Sequence, residues 1–169
     1  NAGKYISFLN VNSKNILDVR KKISRILKSY QNLSLKKSQI LIQQMVTSIN
    51  CSGVVFNRDL NTGANYYAVN YDDVTGKSDT ITSGNSLNSN RLLFVLKKRL
   101  SDVKSERFFK LLNSIQEIEK IYENLPLDIE FIITKKLEVY ILQARPLILS
   151  KKTSKKKDEE IYHRVDSLK

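Results

Sequence analysis

The chain has 169 residues, 41% of them hydrophobic, with 29 Lys and Arg against 17 Asp and Glu and a formal charge of +12. That length holds one modest core or two small lobes and excludes a large multidomain enzyme, while the apolar share excludes a disordered chain. One cysteine, Cys51, excludes an internal disulfide framework and sets a reduced, cytoplasmic compartment as the expectation. No apolar run approaches the roughly 20 residues of a membrane helix, and no secretory signal is visible. The positive excess invites an anionic partner, although the run from Lys151 to Lys157 supplies five of the charges within residues 150–169, a segment that reads as a solvated linker or tail.

In chain order, NAGKYISFLNV opens without a helix or strand start. Gly3 and Lys4 have the flavour of a phosphate loop, but the full pattern GxxxxGK needs Ser or Thr next and Lys4 is followed by Tyr5. From Lys14 to Tyr30 the spacing of Ile16, Val19, Ile23, Ile26, Leu27 and Tyr30 predicts a helix capped by Ser13. Its other face, with Arg20, Lys21, Arg25 and Lys28, reads as solvated rather than phosphate-binding. SQILIQQMV reads as a strand ending in Gln44, Met45 and Val46, a suitable backbone edge for adenine. Two further strands, Val54 to Phe56 and Tyr66 to Tyr71, flank a turn at Asn61, Thr62 and Gly63. Arg58 sits at the mouth of this hairpin, as either a surface charge or a phosphate contact.

DDVTGK from Asp72 to Lys77 is a polar turn that lacks the closing Glu of a calcium loop. A short strand from Asp79 to Thr82, a flexible loop, and RLLFVLKK as strand or short helix follow. Ser105 to Tyr122 is an amphipathic helix that buries Phe108, Leu111, Leu112, Ile115, Ile118 and Tyr122, and Pro126 bars its continuation. The order of elements predicts an α+β fold, a mostly antiparallel sheet packed by two main helices.

The stretch with most chemistry runs from Leu127 to Pro146: LDIEFII, the connection TKKL, then EVYILQARP. It reads as a hairpin in which Asp128 and Glu130 share a face of one strand, and Gln143 and Arg145 share a face of the other. An even-length loop with Ile133 opposite Glu138 places Asp128 opposite Gln143 and joins all four, whereas an odd-length loop parts them. We adopt the even register. Two carboxylates with an amide oxygen and a guanidinium suit magnesium and phosphate. A Ser, His, Asp triad and a zinc site are excluded by the single His163 and single Cys51.

Taken together, AGKYISFLNV, QQMV, SGVVFNRDLNTG, VNYDDVTGKSDTITSG and LDIEFII with LQARPL resemble the N-terminal ATP-grasp module of the phosphoenolpyruvate synthase and pyruvate phosphate dikinase family. The resemblance implies a partial ATP-grasp domain over residues 1–149. It further implies that Asp128, Glu130 and Gln143 hold Mg²⁺ and that Arg145 and Arg58 act on phosphate. By the same resemblance Gln44, Met45 and Val46 lie against adenine, and the loop of Gly3, Lys4 and Ser7 approaches the polyphosphate. Such enzymes split ATP into AMP and phosphate and pass the β-phosphoryl to a histidine on a separate swivelling domain. That histidine then phosphorylates pyruvate or a related acceptor; in a capsule-cluster branch the acceptor is the amide of glutamine. The expected partners are therefore ATP and the carrier and acceptor domains of one longer chain, with no specific nucleic acid and no membrane. As a fragment the chain is expected to be inactive alone. A non-catalytic nucleotide or polyanion binder is the alternative.

Overall fold

The computed structural model describes residues 6–30, 39–60, 63–76 and 91–147. Its contacts divide the chain into two units, Asn1–Met45 and Val46–Lys169. In the first unit the expected helix forms as α1, Ile16–Ser29. Its cap is Asn15 rather than Ser13: the Asn15 side chain accepts from the Asp18 amide at 3.1 Å. Ser13 is instead held inside a turn closed by the Asn15 amide on the Asn12 carbonyl, 3.1 Å. The unit is strongly basic, with nine Lys and Arg against one Asp in residues 1–45. The larger part of the charge excess therefore sits here and not in the Lys-rich run near the end of the chain.

The strand expected over SQILIQQMV does not form: residues 39–47 are neither helix nor strand. Strand conformation needs a ladder partner for its amides and carbonyls, and none of the sheet strands pairs with this stretch. Leu41 and Ile42 stand 80% and 74% exposed, so apolar composition alone produced the expectation.

The second unit contains a five-stranded antiparallel sheet. Its strands are β1 (Ile49–Phe56), β2 (Tyr66–Asp72), β3 (Arg91–Leu96), β4 (Leu127–Thr134) and β5 (Val139–Pro146), arranged in the order β3-β2-β1-β4-β5. A 3-10 segment, Lys97–Asp102, follows β3, and α2, Glu106–Ile121, precedes β4. The alternation along each strand is the cause of the layering. Cys51 and Val55 of β1, Tyr67 and Val69 of β2, Val95 of β3, and Leu127, Ile129, Phe131 and Ile133 of β4 form one buried cluster. The apolar stripe of α2, Phe108, Leu111, Leu112 and Ile115, completes it. Burial pushes the Cys51 thiol up to about 11, which makes it a packing residue and not a nucleophile. The expected strand at Asp79 to Thr82 and the Lys-rich tail lie outside the described residues.

At the centre of the sheet Gly53 faces Tyr71 across the β1–β2 ladder, and a Cβ there would stand 2.1 Å from the Asn70 carbonyl oxygen and 2.8 Å from the Tyr71 Cα. Those neighbours are backbone and cannot swing aside. Gly53→Ala is expected to lower the unfolding free energy by about 3 kcal/mol, measured by urea denaturation, with the strands forced apart at this pair.

Candidate functional site

The β4–β5 hairpin gathers the four polar residues on one face by a route other than the even register. Thr134 closes the hairpin, its amide donating to the Glu138 carbonyl at 3.0 Å, and Leu137 takes a left-handed φ of 61°. A three-residue loop ending in that conformation is an established hairpin type. The register it launches pairs Ile133 with Val139, not Glu138, followed by Ile132 with Tyr140 and Phe131 with Ile141. Continued unbroken, this odd register would turn Gln143 and Arg145 toward the core.

A β-bulge at Leu142 prevents that. Beyond it Glu130 pairs with Gln143, Ile129 with Ala144 and Asp128 with Arg145. The reason lies in the sequence VYILQAR, which places two apolar residues, Ile141 and Leu142, side by side. One extra residue lets Val139 and Ile141 enter the core ahead of the bulge and Ala144 after it, while Gln143 and Arg145 still point away. The expected constellation therefore exists, with Asp128 opposite Arg145 rather than Gln143.

The face is electrostatically tense. Asp128 is only 5% exposed, and the Arg145 side chain donates to its Oδ2 from Nε at 2.7 Å and also from Nη2. The other carboxylate oxygen, Oδ1, is buried without a hydrogen-bond partner among the described residues. Glu130, next on the same face, has its carboxyl held above the ordinary carboxylate range. Burial is the chief cause and the Asp128 charge adds to it, against the opposing pull of Arg145.

The same end of the sheet carries Arg58, whose Nη1 lies 3.4 Å from the Gly63 carbonyl, just past the end of β1. Beneath it is a polar cluster that sequence reasoning missed. Glu119 of α2, 5% exposed, accepts from Asn57 Nδ2 at 2.8 Å and from the Tyr67 hydroxyl at 2.7 Å, and is ion-paired with Lys97. Burial lowers the Lys97 ammonium against the opposing effect of Glu119, and the Arg58 charge lowers it further. The available signal was the helical spacing itself, which puts Glu119 four residues after Ile115 on the buried stripe.

Of the remaining expected site residues, Ser7, Gln44 and Met45 belong to the first unit and Val46 to the second. Ser7 and Gln44 are exposed and Met45 and Val46 half-buried, while Gly3 and Lys4 lie outside the described residues.

The family model for the pyruvate phosphate dikinase AMP/ATP-binding domain matches residues 72–166, more than half of the chain. The chain belongs to the pyruvate phosphate dikinase AMP/ATP-binding family. No curated protein matches it. The match takes in the whole hairpin, so the four-residue face lies inside the AMP/ATP-binding region and the chain is an ATP-binding portion of a dikinase-like phosphotransferase. Among the described residues no helix is long and apolar enough to cross a membrane.

For this family member the residues present fit a magnesium ion. Asp128 and Glu130 offer carboxylate oxygens and the opposed Gln143 an amide oxygen, the hard donor types that Mg²⁺ takes, and Asp128 Oδ1 is a buried acceptor with no hydrogen-bond partner among the described residues. Because the folded protein raises the Glu130 pKa, the protonated form is favoured on folding, so ionisation costs stability as pH rises through and above the ordinary value of 4.5. Glu130→Gln is accordingly expected to raise the melting temperature at pH 7 in metal-free buffer. The gain should shrink toward zero below pH 4.5, read by calorimetry across a pH series.

Proposed function

We propose that the face bearing Asp128, Glu130, Gln143 and Arg145 is the magnesium and phosphate wall of the ATP site in a phosphoenolpyruvate synthase-like dikinase. In the reaction ATP is cleaved to AMP and phosphate: the β-phosphoryl passes to a histidine nitrogen on another domain, the γ-phosphoryl passes to water, and AMP leaves. The acceptor that discharges the histidine is pyruvate or a related compound. The observation that carries this reading is the Leu142 bulge, which spends a residue to turn a guanidinium and an amide toward two carboxylates inside the family's AMP/ATP-binding region.

Each side chain has a distinct task. Asp128 and Glu130, with Gln143, would hold Mg²⁺, which when bound offsets phosphate charge and orients the polyphosphate. Arg145 uses Nε and Nη2 on Asp128 and keeps further N–H groups to aim at a phosphate oxygen. The Asp128 contact restrains the guanidinium before the nucleotide arrives, which lowers the ordering cost of binding. Arg58 contributes a second cation at the same sheet end.

Thermal unfolding in the presence of ATP, Mg²⁺ and both together tests the wall directly. MgATP at about 100 times its dissociation constant would stabilise the chain by about 2.7 kcal/mol. The increment that Mg²⁺ adds to ATP is expected to vanish in Glu130→Gln, and Arg145→Met is expected to weaken ATP binding about tenfold with or without metal. Equal stabilisation of wild type and both variants by MgATP sinks the proposal.

A further inference from the structure

The buried cluster beneath the site is organised around Asn57, the first residue past β1. Its amide donates to the Leu127 carbonyl at 3.2 Å and its Oδ1 accepts from the Leu127 amide at 2.6 Å. Its Nδ2 donates to the Leu125 carbonyl at 2.9 Å and to Glu119 Oε1 at 2.8 Å. One side chain thus brackets Pro126, a residue with no amide hydrogen to give to a ladder. The outer strand is tied at the same place: the Leu147 amide donates to the Pro126 carbonyl at 2.8 Å, and Leu127 pairs with Pro146. The next pair inward is Asp128 with Arg145.

Glu119 fixes the amide of Asn57 in turn. A buried carboxylate is costly unless its oxygens are fully used, and here donors come from the end of β1 (Asn57), from β2 (Tyr67) and from the residue after β3 (Lys97). Rotating Asn57 by a half-turn of its amide would set its oxygen against Glu119 Oε1 and the Leu125 carbonyl and its NH₂ against the Leu127 amide, repulsions in place of three hydrogen bonds. The carboxylate and the Leu125 carbonyl together favour the orientation in which Asn57 holds β4.

We propose that Asn57, oriented by Glu119 together with the Leu125 carbonyl, is a positioning residue for the Asp128 and Arg145 pair: it sets the height of β4 against β5 at the mouth of the site and touches no ligand itself. The functional half of this inference rests on that pair belonging to the ATP site, whereas the geometric half is read independently.

The experiment compares two replacements of the buried ion pair in the 169-residue chain, E119Q/K97M and E119L/K97M. Both remove the charges, a change that buried pairs commonly tolerate, and only the first keeps an acceptor for Asn57 at position 119. The probe is the Arg145 Nε–H resonance in a nitrogen–proton correlation spectrum, assigned by its loss in R145K and referenced to its freed position in D128N. The expected result is a wild-type position in E119Q/K97M and a shift to the freed position in E119L/K97M, with Asn57→Ala shifting it likewise. MgATP affinity should fall roughly tenfold in E119L/K97M relative to E119Q/K97M. An unmoved resonance in E119L/K97M and Asn57→Ala overturns the inference, as does an equal shift in both double variants. Equal MgATP affinity in the two, despite a shifted resonance, overturns the positioning role. Absence of MgATP binding to wild type, with the resonance behaving as expected, overturns the ATP reading of the face and leaves the clamp standing.

Discussion

Among the described residues of the second unit one α-helix serves five strands. The stripe of α2 closes over one face of the sheet, and every other feature follows from which residues that face can accept. Apolar side chains at alternate positions of β1, β2 and β4 fill it. The opposite side of the same strands is where polar chemistry can be placed without disturbing the core, and Asp128 and Glu130 take their positions by simple alternation between Leu127, Ile129 and Phe131. β5 is less regular because it must satisfy the same rule while carrying one apolar residue too many. Its bulge is the compromise between burying Val139 and Ile141 and presenting Gln143 and Arg145.

The ionic features obey the same economy of burial at two depths. On the hairpin face, Asp128 is buried with one oxygen engaged by Arg145 and the other without a hydrogen-bond partner among the described residues, and Glu130 is raised beside it. Beneath, Glu119 is buried with both oxygens engaged by neutral and charged donors. Glu119, with its oxygens committed, ties α2 to three strand ends, whereas Asp128 keeps one acceptor uncommitted among the described residues.

Much of this was legible in the sequence because local rules governed it. The extents of α2 and of the two strands of the β4–β5 hairpin, and the existence of the β1–β2 hairpin, follow from periodicity, the turn residues and Pro126, although β1 starts at Ile49 and not at Val54. That Asp128, Glu130, Gln143 and Arg145 share one face was also legible, since they are awkward residues in otherwise apolar strands. What failed depended on contacts that residue types do not encode. SQILIQQMV has strand composition but, over residues 39–46, no ladder partner among the described residues, and Ser13 lost the cap to Asn15 because Asn12 drew it into a turn. The register at Ile133 was misassigned because Leu137 adopts a left-handed backbone that its side chain does not favour. Glu119 escaped notice because a charged residue on a helix is ordinarily solvated, and only its three donors explain its burial.

The bulge gives the hairpin a reserve in chain length. An unbroken ladder would tie the orientation of Arg145 rigidly to the number of residues in the turn after Thr134. Here the parity of the turn and the extra residue at Leu142 cancel, so a homologue with one residue fewer in the turn and no bulge could present the same four side chains on the same side. Insertions and deletions would then accumulate in the hairpin in compensating pairs. Two relatives could differ in turn length, align poorly across this stretch, and still display one face.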